Sequence, residues 1–560
     1  MYILGISAYY HDSAAVLLKN GEVVCAFEEE RFSLIKHDNQ FPLKAIQACI
    51  VYANITIEDI QTISYYERPL RKFERILSTF VETFPYSLLV FVNALPEWFS
   101  YKLDVEGIIR KKLLFKGCIC YVPHHLSHAS HAFFTSTFET AAVLTIDGVG
   151  EYQTTGLWKA TKGSIEPIAS INFPHSLGLL YSTFTAFLGF QVNEDEYKVM
   201  GLAAYGTPTY EKEVRQVIDI KSDGSFKLNL QYFGFRESFC MWKRPFEILF
   251  GTPRAMGAQV EQRHKDIAAS IQKVVEEIYL KLLIELKNKT DCSAVCISGG
   301  VSLNALANGR AYKESPFVFM HIPGAGGDSG AALGAALYTA MILNREKVKS
   351  ASTLLLGNQT DSRLLELLLQ TENRVTFTKV TDRELIEHAA THVAQGGVIG
   401  WFQGRMEFGP RALGNRSILA LPAPFSMKER VNDIKMREEF RPFGGAILEE
   451  YIHEYFDAPA FMHSFPDMNV CFQVKKSGIE AITHADNSCR IQTVSKEHTR
   501  FYELISVVKE KTGTPCVLNT SFNVKGQPIV ENPQQAITMF LETSLDVLYI
   551  ENYIIEKIST

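Results

Sequence analysis

The chain has 560 residues, of which 46% are hydrophobic and 21% charged, and a formal net charge of −6. This length exceeds one ordinary core and predicts two or three domains. Because the net charge is mildly negative, composition gives no basis for broad attraction to nucleic acid or to a membrane surface, and we expect neither as a partner.

The N-terminal segment Met1–Ile6 is predicted to be a strand that enters a turn. It lacks the basic region and the small-residue cleavage site of a secretory leader, so we expect a cytoplasmic protein. The 10 cysteines are spread thinly and include no CxxC pair. This is typical of free thiols in a reducing compartment and argues against a zinc ribbon.

Three short strand-like segments open the chain, and a similar set follows later. The first set comprises Tyr2–Ser7, Ala14–Lys19 and Glu22–Glu28, and the second comprises Ala141–Ile146, Thr155–Ala160 and Ser164–Ile171. Asn20-Gly21 favours a two-residue β-hairpin in the first set. The acidic turn Asp147-Gly148 follows the first strand of the second set. We interpret the two sets as a weak internal repeat.

Helical patterns lie between and after these sets. Charged and apolar residues follow helical spacing from Leu70 to Lys116, and a long helix is predicted from about Gln259 to Lys289. The most apolar stretch, Tyr86 to Phe99, is too short to span a bilayer and contains polar residues and a proline. It therefore predicts a buried or interfacial helix.

Strands and helices then alternate, with glycine-rich turns at the strand ends. Gly299-Gly300 follows a predicted strand, Ser293–Ile297, and precedes a predicted helix that contains Asn304. Gly324–Gly330 follows the next strand and opens a helix to about Leu343. This alternation predicts an α/β fold.

A polar, lysine-bearing segment, Arg345–Ser352, is predicted to be a linker. The alternation starts again beyond it, with a helix over about Leu364–Thr371. We therefore predict a boundary near residue 350, with one domain over residues 1–350 and a second over residues 351–560.

Two histidines and two aspartates form a candidate metal site. His124 and His128 are four residues apart in a helix-like stretch, so both can face one ion. Asp147 and Asp328 each lie near the carboxyl end of an apolar strand, where ligands gather in open α/β sheets. Imidazoles with carboxylates suit iron or another borderline divalent metal. The alternatives are ordinary helix histidines and ordinary turn or cap aspartates.

The glycine-rich turns have a functional and a structural interpretation. Glycine lets the backbone approach a phosphate or a purine, but a tight turn needs it as well. Two glycine clusters combined with duplicated acidic strand–turn units resemble the actin-like ATPase superfamily, in which two ribonuclease-H-like halves hold a nucleotide.

Basic and amide residues are dense in the second predicted domain, within Gly404–Ser417, Lys435–Phe443, His484–Arg490 and Leu518–Asn523. Arginine offers a forked donor to phosphate oxygens, and lysine offers a point charge. For any single arginine, the alternative is a solvated or paired surface charge. Arg441 and Arg490 have apolar or aromatic neighbours in the sequence, so they look less like free surface charges.

Together these motifs resemble the O-carbamoyltransferase family of the NodU/CmcH type, which includes the TobZ-like carbamoyltransferases and acts in nodulation and in antibiotic or other secondary-metabolite biosynthesis. The resemblance covers nearly the whole chain, and the order of its motifs is specific. The segments that carry it are Gly5–Ala15, Glu28–Phe32, His124–His128, Lys198–Leu202, Gly299–Asn304, Gly409–Ser417 and Asn519–Asn523. The chain departs from the family at Gly444-Gly445, where Ala-Pro often follows the Arg-Pro-Phe segment.

The resemblance implies an N-terminal actin-like ATPase domain with duplicated ribonuclease-H-like halves, and a C-terminal α/β domain similar to threonylcarbamoyl-adenylate synthase. The second domain would form carbamoyl-adenylate from carbamoyl phosphate and ATP with Mg²⁺. The first would then transfer the carbamoyl group to a hydroxyl of a natural product or sugar, using Fe²⁺ or a similar divalent metal.

The resemblance also implies residue roles. His124, His128, Asp147 and Asp328 would hold the metal. His11 would lie beside the acceptor hydroxyl as general base, a task that suits its ordinary pKa near 6.5, and Lys36 would contact carbamoyl-adenylate. Gly300 and Asn304 would line the nucleotide site of the first domain. The residues that would bind ATP and carbamoyl phosphate in the second domain are Arg411, Lys435, Arg441, Arg490 and Asn519.

Two other classes of function fit part of the sequence. An actin-fold small-molecule kinase would explain the first domain but leaves the motifs of the second unused. A non-catalytic nucleotide-binding accessory protein would need neither the histidines nor the acidic turns. The sequence does not identify the acceptor, and it leaves a homodimer open.

Overall fold

The computed structural model describes residues 1–343, 345 and 353–558. Its packing divides the chain into two compact units, Met1–Glu29 with His37–Ser352, and Glu30–Lys36 with Thr353–Thr560. The predicted boundary near residue 350, and the predicted linker beyond Arg345, lie outside the described residues. The assignment of one function to each domain stays a prediction.

The first unit opens with a five-stranded sheet of order β3-β2-β1-β4-β5. Its strands are β1 (Tyr2–Ser7), β2 (Ala14–Lys19), β3 (Glu22–Glu28), β4 (Ile60–Tyr65) and β5 (Cys118–Tyr121). β1, β2 and β3 pair antiparallel, whereas β4 is parallel to both β1 and β5. The predicted hairpin is confirmed, and both Asn20 and Gly21 have the positive φ that its tight turn requires.

A second five-stranded sheet repeats this order as β8-β7-β6-β11-β12. Its strands are β6 (Thr140–Ile146), β7 (Gln153–Thr161), β8 (Ser164–Asn172), β11 (Ala294–Ser298) and β12 (Phe319–His321). The first three again pair antiparallel, and β11 is parallel to β6 and β12. The duplicated ribonuclease-H-like architecture of the α/β prediction is therefore confirmed.

Helices surround these sheets, and β9 (Ile218–Ile220) pairs with β10 (Phe226–Leu228) as a small ribbon. After the short helix α1 (Glu30–Ser33), the helices of the first half are α2 (Leu43–Ala53), α3 (Pro69–Thr83), α4 (Leu88–Glu97), α5 (Val105–Leu113) and α6 (His124–Phe134). Those of the second half are α7 (Leu177–Phe187), α8 (Glu196–Ala203), α9 (Glu211–Val217), α10 (Arg244–Phe250), α11 (Gln262–Thr290), α12 (Ala305–Glu314) and α13 (Asp328–Tyr338).

Two glycines allow the close contacts that position the candidate site. A Cβ atom on Gly334 would lie 1.8 Å from the carbonyl oxygen of Ser127, so only glycine lets α13 approach α6 this closely. Gly299 has a φ of +97°, and a Cβ atom there would lie 2.3 Å from the carbonyl oxygen of Ile146. The turn after β11 is thereby held against the end of β6.

The second unit is built on a nine-stranded mixed sheet of order β13-β21-β20-β14-β15-β19-β16-β18-β17. Its strands are β13 (Val375–Lys379), β14 (Ile399–Phe402), β15 (Arg416–Ala420), β16 (Gly444–Leu448), β17 (Val470–Gln473), β18 (Ser488–Val494), β19 (Cys516–Ser521), β20 (Val547–Ile550) and β21 (Tyr553–Lys557). Its helices are α14 (Ser362–Thr371), α15 (Asp382–Ala394), α16 (Ser426–Ile434), α17 (Ile452–Tyr455), α18 (Thr499–Thr512) and α19 (Pro533–Glu542). This unit also has an α/β fold.

The short helix α1 belongs to the second unit although it lies near the N-terminus of the chain. Arg31 donates to the carbonyl oxygen of Gly409 at 2.8 Å, and Gln535 donates to the carbonyl oxygen of Arg31. The sequence predictions did not separate this segment from the first domain.

No helix in the described part of the chain is long and apolar enough to cross a membrane. The apolar stretch from Tyr86 to Phe99 forms α4, and none of the helix residues is buried. The first alternative, a buried helix, was wrong, and the second, an interfacial helix, stays a prediction. Leu89, for example, is 73% exposed.

Candidate active site

The four side chains predicted to bind a metal meet in the first unit. His124 and His128 lie one turn apart at the start of α6, Asp147 directly follows β6, and Asp328 begins α13. All four are buried, and one ligand atom from each lies within 4.8 Å of the others. Strand ends and helix starts therefore converge on one buried point, as the sequence pattern predicts.

The two imidazoles turn the same nitrogen toward the carboxylates. Nε2 of His124 is 2.8 Å from Oδ2 of Asp147 and 3.7 Å from Oδ1 of Asp328. Nε2 of His128 is 3.1 Å from Nε2 of His124 and 3.6 Å from Oδ1 of Asp328. The arrangement places two nitrogen donors between two oxygen donors.

This donor set fits a divalent cation. Both carboxylate oxygens of Asp328 are buried, and neither accepts a hydrogen bond from any residue that the structure describes. A buried carboxylate in that state is costly unless a cation compensates it. Two imidazoles with two carboxylates suit iron, zinc or a similar divalent metal. The residues therefore fit the predicted metal, and its identity stays a prediction.

Opposite charges at this site shift the pKa values of the side chains. Burial alone would lower the pKa of His124, but the carboxylates of Asp328 and Asp147 outweigh burial and raise it to about 9. Burial would raise the pKa of Asp147, but its hydrogen bond with His124 and the neighbouring imidazoles hold it well below its ordinary value. The metal-free site therefore holds a proton at neutral pH.

Metal binding should consequently compete with protons. Because His124 must be neutral to coordinate a cation, the affinity of the metal-free protein for Zn²⁺ should rise from pH 7 to about 9, by up to about tenfold per pH unit, with release of about one proton. Calorimetric titrations in two buffers of different protonation enthalpy measure both quantities. An affinity independent of pH over this range would contradict the role of His124 as a ligand.

The other histidines of α6 do not join the group. Nδ1 of His125 is 2.8 Å from the hydroxyl of Thr145, and burial lowers the pKa of His125 to about 3. Burial also lowers the pKa of His131 to about 3. Both are neutral core residues, so α6 presents one pair of histidines to the carboxylates.

His11, the predicted general base, is held by a neighbouring carboxylate. Its Nδ1 is 2.9 Å from Oδ2 of Asp12, and Oδ1 of Asp12 is 2.6 Å from Nδ1 of His37. Burial would lower the pKa of His11, but the Asp328 carboxylate and the Asp12 hydrogen bond outweigh burial and raise it to about 10. The predicted role rested on a pKa near 6.5. The difference arises because the fold brings carboxylates close to His11 that are distant in sequence.

Asp12 should matter for the rate because it fixes the orientation and tautomer of His11. With Asp12 accepting from Nδ1, the opposite nitrogen Nε2 is the one that can take a proton from a substrate when His11 is neutral. We expect Asp12→Asn to lower kcat for group transfer by ~10²-fold or more while KM changes little. Asp38→Asn is the control, since among the described residues its carboxylate accepts from the backbone N–H of Gln40 alone. Equal kinetic effects of the two changes would contradict this role.

Gly300 and Asn304, the residues predicted for the nucleotide site of the first domain, have different surroundings. The backbone N–H of Gly300 donates to Oδ1 of Asp147 at 3.0 Å, so the glycine turn touches the candidate metal group. Asn304 is the N-cap of α12, rather than a residue within the helix as predicted. Its side chain caps Ala307 and exchanges two hydrogen bonds of 2.9 Å with Gln272. A nucleotide contact through the Asn304 side chain would have to replace one of these.

In the second unit, Lys435 is the most buried of the predicted basic residues. Its ammonium donates to the carbonyl oxygen of Ser521, and to the carbonyl and side-chain oxygens of Asn523 at 2.7 and 2.9 Å. Burial, and then the nearby cations Arg437 and Arg441, hold its pKa well below the ordinary value. The Lys435 ammonium is therefore bound by uncharged oxygens and lies close to other cations.

Arg490 and Asn519 flank Gly444 in the sheet. Gly444 of β16 pairs with Arg490 of β18 on one side and with Asn519 of β19 on the other. Directly paired residues point to the same face, so both side chains border the space above the glycine. The buried Nε of Arg490 and Oδ1 of Asn519 have no hydrogen-bond partner among the described residues. A Cβ atom on Gly444, where the chain departs from the family, would lie 3.0 Å from Sδ of Met468 and 3.5 Å from Nε of Arg490, so glycine lets these side chains approach the sheet closely.

The remaining predicted residues are less buried. Arg441 is 3.7 Å from a carboxylate oxygen of Glu438, and its charge helps to lower the pKa of Arg490 after burial. Arg411 precedes Ala412, whose carbonyl oxygen accepts from Asn519. Lys36 is half-buried and belongs to the second unit, whereas His11 belongs to the first. Arg441 thus lies within electrostatic reach of both Lys435 and Arg490 in the second unit. The ligands that these cations bind stay predictions.

Comparison with known proteins decides the family. The carbamoyltransferase N-terminus family matches residues 2–337, and the carbamoyltransferase C-terminus family matches residues 390–557. The chain belongs to the carbamoyltransferase family. The enzyme class and the resemblance predicted from the sequence are confirmed.

Three relatives indicate the range of this carbamoyltransferase family. An uncharacterised protein of Synechocystis sp. is 41% identical over 99% of this chain and 97% of its own length. The nodulation protein NolNO of Sinorhizobium fredii is 36% identical over 98% of this chain and 80% of its own. A 3'-hydroxymethylcephem-O-carbamoyltransferase of Streptomyces clavuligerus is 28% identical over 63% of each chain.

Several residues near the carbamoyltransferase site were not predicted from the sequence. Asp12 adjoins His11 in the same motif, and an acidic residue next to a candidate base is a signal that could have been used. Glu151 accepts from the backbone N–H of His124 at the start of α6. Gln492 accepts from Asn519 at 3.0 Å. For the last two, only the folded structure shows the contact.

Proposed function

We propose that this carbamoyltransferase is an ATP-dependent O-carbamoyltransferase that makes carbamoyl-adenylate and then carbamoylates a hydroxyl of a small-molecule acceptor, a natural product or a sugar. The observation that carries the proposal is the buried group of two imidazoles and two carboxylates in a chain that matches both parts of the family. The cephem O-carbamoyltransferase among its relatives supports a hydroxyl acceptor.

The first half-reaction is assigned to the second unit. Water releases carbamate and inorganic phosphate from carbamoyl phosphate, and a carbamate oxygen then attacks the α-phosphorus of ATP, so that pyrophosphate leaves. Lys435, Arg441 and Arg490 would offset the phosphate charge, since forked and point cations bind such oxygens strongly. After burial, neighbouring arginines lower the pKa values of Lys435 and Arg490 further. A bound anion would offset this repulsion between cations.

The second half-reaction is assigned to the first unit. A cation on Asp328 and Asp147 would offset the carboxylate charge that raises the pKa of His11, and so would favour its neutral form. Neutral His11 takes the proton of the acceptor hydroxyl, the hydroxyl oxygen attacks the carbamoyl carbon, and the bond to AMP breaks. Asp12 holds His11 through Nδ1 during this step. The products are the carbamoylated acceptor and AMP, so the two half-reactions balance without a further reactant.

His124, His128, Asp147 and Asp328 would hold the divalent cation, which we propose is Fe²⁺. When bound, such a cation supplies a Lewis acid for the carbamoyl oxygen and offsets the charge of the two aspartates. The chain itself contributes a dry, enclosed setting, since all four residues are at most 3% exposed.

A screen of hydroxylated candidate acceptors tests the transfer. Purified protein, ATP, Mg²⁺, Fe²⁺ and carbamoyl phosphate are incubated with each candidate, and mass spectrometry looks for the addition of one carbamoyl group. We expect such a product from at least one acceptor, and none when carbamoyl phosphate is omitted. Addition of a phosphoryl group instead would favour a kinase and overturn the proposal.

A further inference from the structure

Helix α3 of the first unit turns two of its cations inward. Lys72 and Arg75, one turn apart, are only 8% and 9% exposed. On the opposite face, Leu70, Leu77 and Val81 are 71%, 44% and 68% exposed. A surface helix normally buries its apolar face and exposes its cations. Because burying a charge is costly, two inward cations need compensation.

Lys72 is compensated within the protein. Its ammonium is 2.7 Å from a carboxylate oxygen of Glu67 and lies 4.9 Å from the centre of the Tyr10 ring. Glu67 is itself buried, so this is a closed, neutral ion pair. It accounts for one of the two buried cations of α3.

Arg75 has no such partner. Its guanidinium lies over the ring of Phe173, with 4.9 Å between the central carbon and the ring centre. In the part of the chain that the structure describes, its side chain makes neither an ion pair nor a hydrogen bond, and its buried Nε is unsatisfied. The carboxylates in electrostatic reach are Glu67 and Glu151.

Those two carboxylates are engaged elsewhere. Glu67 is bound by Lys72, and Glu151 accepts from the backbone N–H groups of Arg68 and His124. An arginine fork over an aromatic ring, with its N–H groups uncommitted, matches the planar, two-oxygen geometry of a carboxylate.

Arg75 also borders the candidate active site. Arg75, Asp147 and Asp328 all act electrostatically on the half-buried Tyr10. The Tyr10 hydroxyl is 3.6 Å from where a Cβ atom on Gly148 would lie, directly after Asp147. The Tyr10 ring also packs against His11, with 4.6 Å between ring centres. Tyr10 therefore lies near the candidate metal group and His11, within electrostatic reach of Arg75.

We propose that Arg75 binds a carboxylate of the acceptor, so that the natural acceptor is a hydroxylated organic acid. This inference rests on the proposed function, in which the acceptor hydroxyl meets His11. Binding the carboxylate at Arg75 orients the molecule so that one hydroxyl lies at the base. Arg75 thus selects among acceptors and takes no part in forming carbamoyl-adenylate.

Matched sugar probes test this assignment. D-glucuronate and its methyl ester carry the same hydroxyls and differ in the free carboxylate. With ATP and carbamoyl phosphate supplied, we expect wild-type protein to carbamoylate glucuronate with a kcat/KM at least ~10-fold above that of the ester, since charge-assisted hydrogen bonds of this kind are strong. In Arg75→Met this ratio should fall to near one, chiefly through a higher KM for glucuronate.

Arg71→Met is the matched control, because Arg71 lies on the same helix but is 63% exposed and bound to Glu74. It should keep the wild-type ratio. Pyrophosphate release without acceptor should be the same in wild type and both variants, and its absence in wild type would instead contradict the proposed function. Should Arg75→Met fail to fold, Arg75→Lys, which keeps the charge but loses the fork, should show an intermediate ratio.

Three results would overturn the assignment. The first is a wild-type protein that carbamoylates glucuronate no faster than the ester, or that carbamoylates neither probe. The second is an equal loss of activity toward both probes in Arg75→Met, which would place Arg75 at the phosphate of carbamoyl-adenylate. The third is an unchanged ratio in a folded Arg75→Met protein, which would leave Arg75 a purely structural residue.

Discussion

Replacing His128 with alanine should remove the bound metal and abolish carbamoyl transfer, while pyrophosphate release from ATP and carbamoyl phosphate continues. His128 supplies one of four clustered donor atoms, and Nε2 lies 3.6 Å from Asp328. Loss of a ligand should weaken metal binding by at least ~100-fold, since even changes to supporting residues cost 10–100-fold. Elemental analysis of the purified variant and separate assays of the two half-reactions measure these effects.

His125→Ala is the control for this experiment. This change also removes a buried imidazole from α6. His125, however, is hydrogen-bonded to Thr145 and lies outside the candidate metal group. It should retain metal, whatever it costs in thermal stability. Full metal content in folded His128→Ala would contradict the metal assignment. Equal loss of metal in both variants would show that the helix, rather than the ligand, had been damaged.

Replacing Arg490 with alanine should abolish formation of carbamoyl-adenylate and spare the transfer step. Arg490 points into the space above Gly444 beside Asn519, and its buried Nε lacks a partner among the described residues. Removing one preorganised donor to a phosphate should lower the adenylation rate by ~10²-fold or more. Transfer from chemically supplied carbamoyl-adenylate, assayed with the same protein, should stay within about twofold of wild type.

Arg430→Ala serves as the matched arginine control. Arg430 is 42% exposed and binds Asp546 and the carbonyl oxygen of Gly396, away from the cation cluster. Its adenylation rate should be near that of wild type. Equal losses of adenylation and transfer in Arg490→Ala would contradict the separation of the two half-reactions between the two units.

The candidate metal group could be anticipated because local rules define it. His124 and His128 share a face through helical periodicity alone. Asp147 and Asp328 follow from the expectation that ligands gather at strand ends. Local rules could not establish which histidines of α6 face the carboxylates, since four lie within two turns of the helix. The protonation state of each depends on burial, which only the fold determines.

The second unit shows a different limit. Gly444, Arg490 and Asn519 are far apart in sequence, and only the pairing of β16 with β18 and β19 makes them neighbours. Register of this kind depends on the whole sheet, not on any one segment. The sequence therefore indicated anion-binding residue types but not their arrangement.

Burial explains the remaining differences. Asn304 was predicted within a helix, yet its side chain caps α12 and pairs with Gln272. The apolar stretch of α4 was predicted to be buried or interfacial, and none of the α4 residues is buried. In α3, an ordinary amphipathic pattern would bury Leu70 and Leu77, and the fold instead buries Lys72 and Arg75. Tertiary context overrides local preference at such positions.

The fate of ATP tests the central claim most directly. Phosphorus NMR of a reaction with ATP, carbamoyl phosphate and an accepted hydroxyl compound should show AMP, pyrophosphate and inorganic phosphate, each equal to the carbamoylated product formed. Formation of ADP with a phosphorylated acceptor, or of the carbamoylated product while ATP stays intact, would contradict the adenylate route.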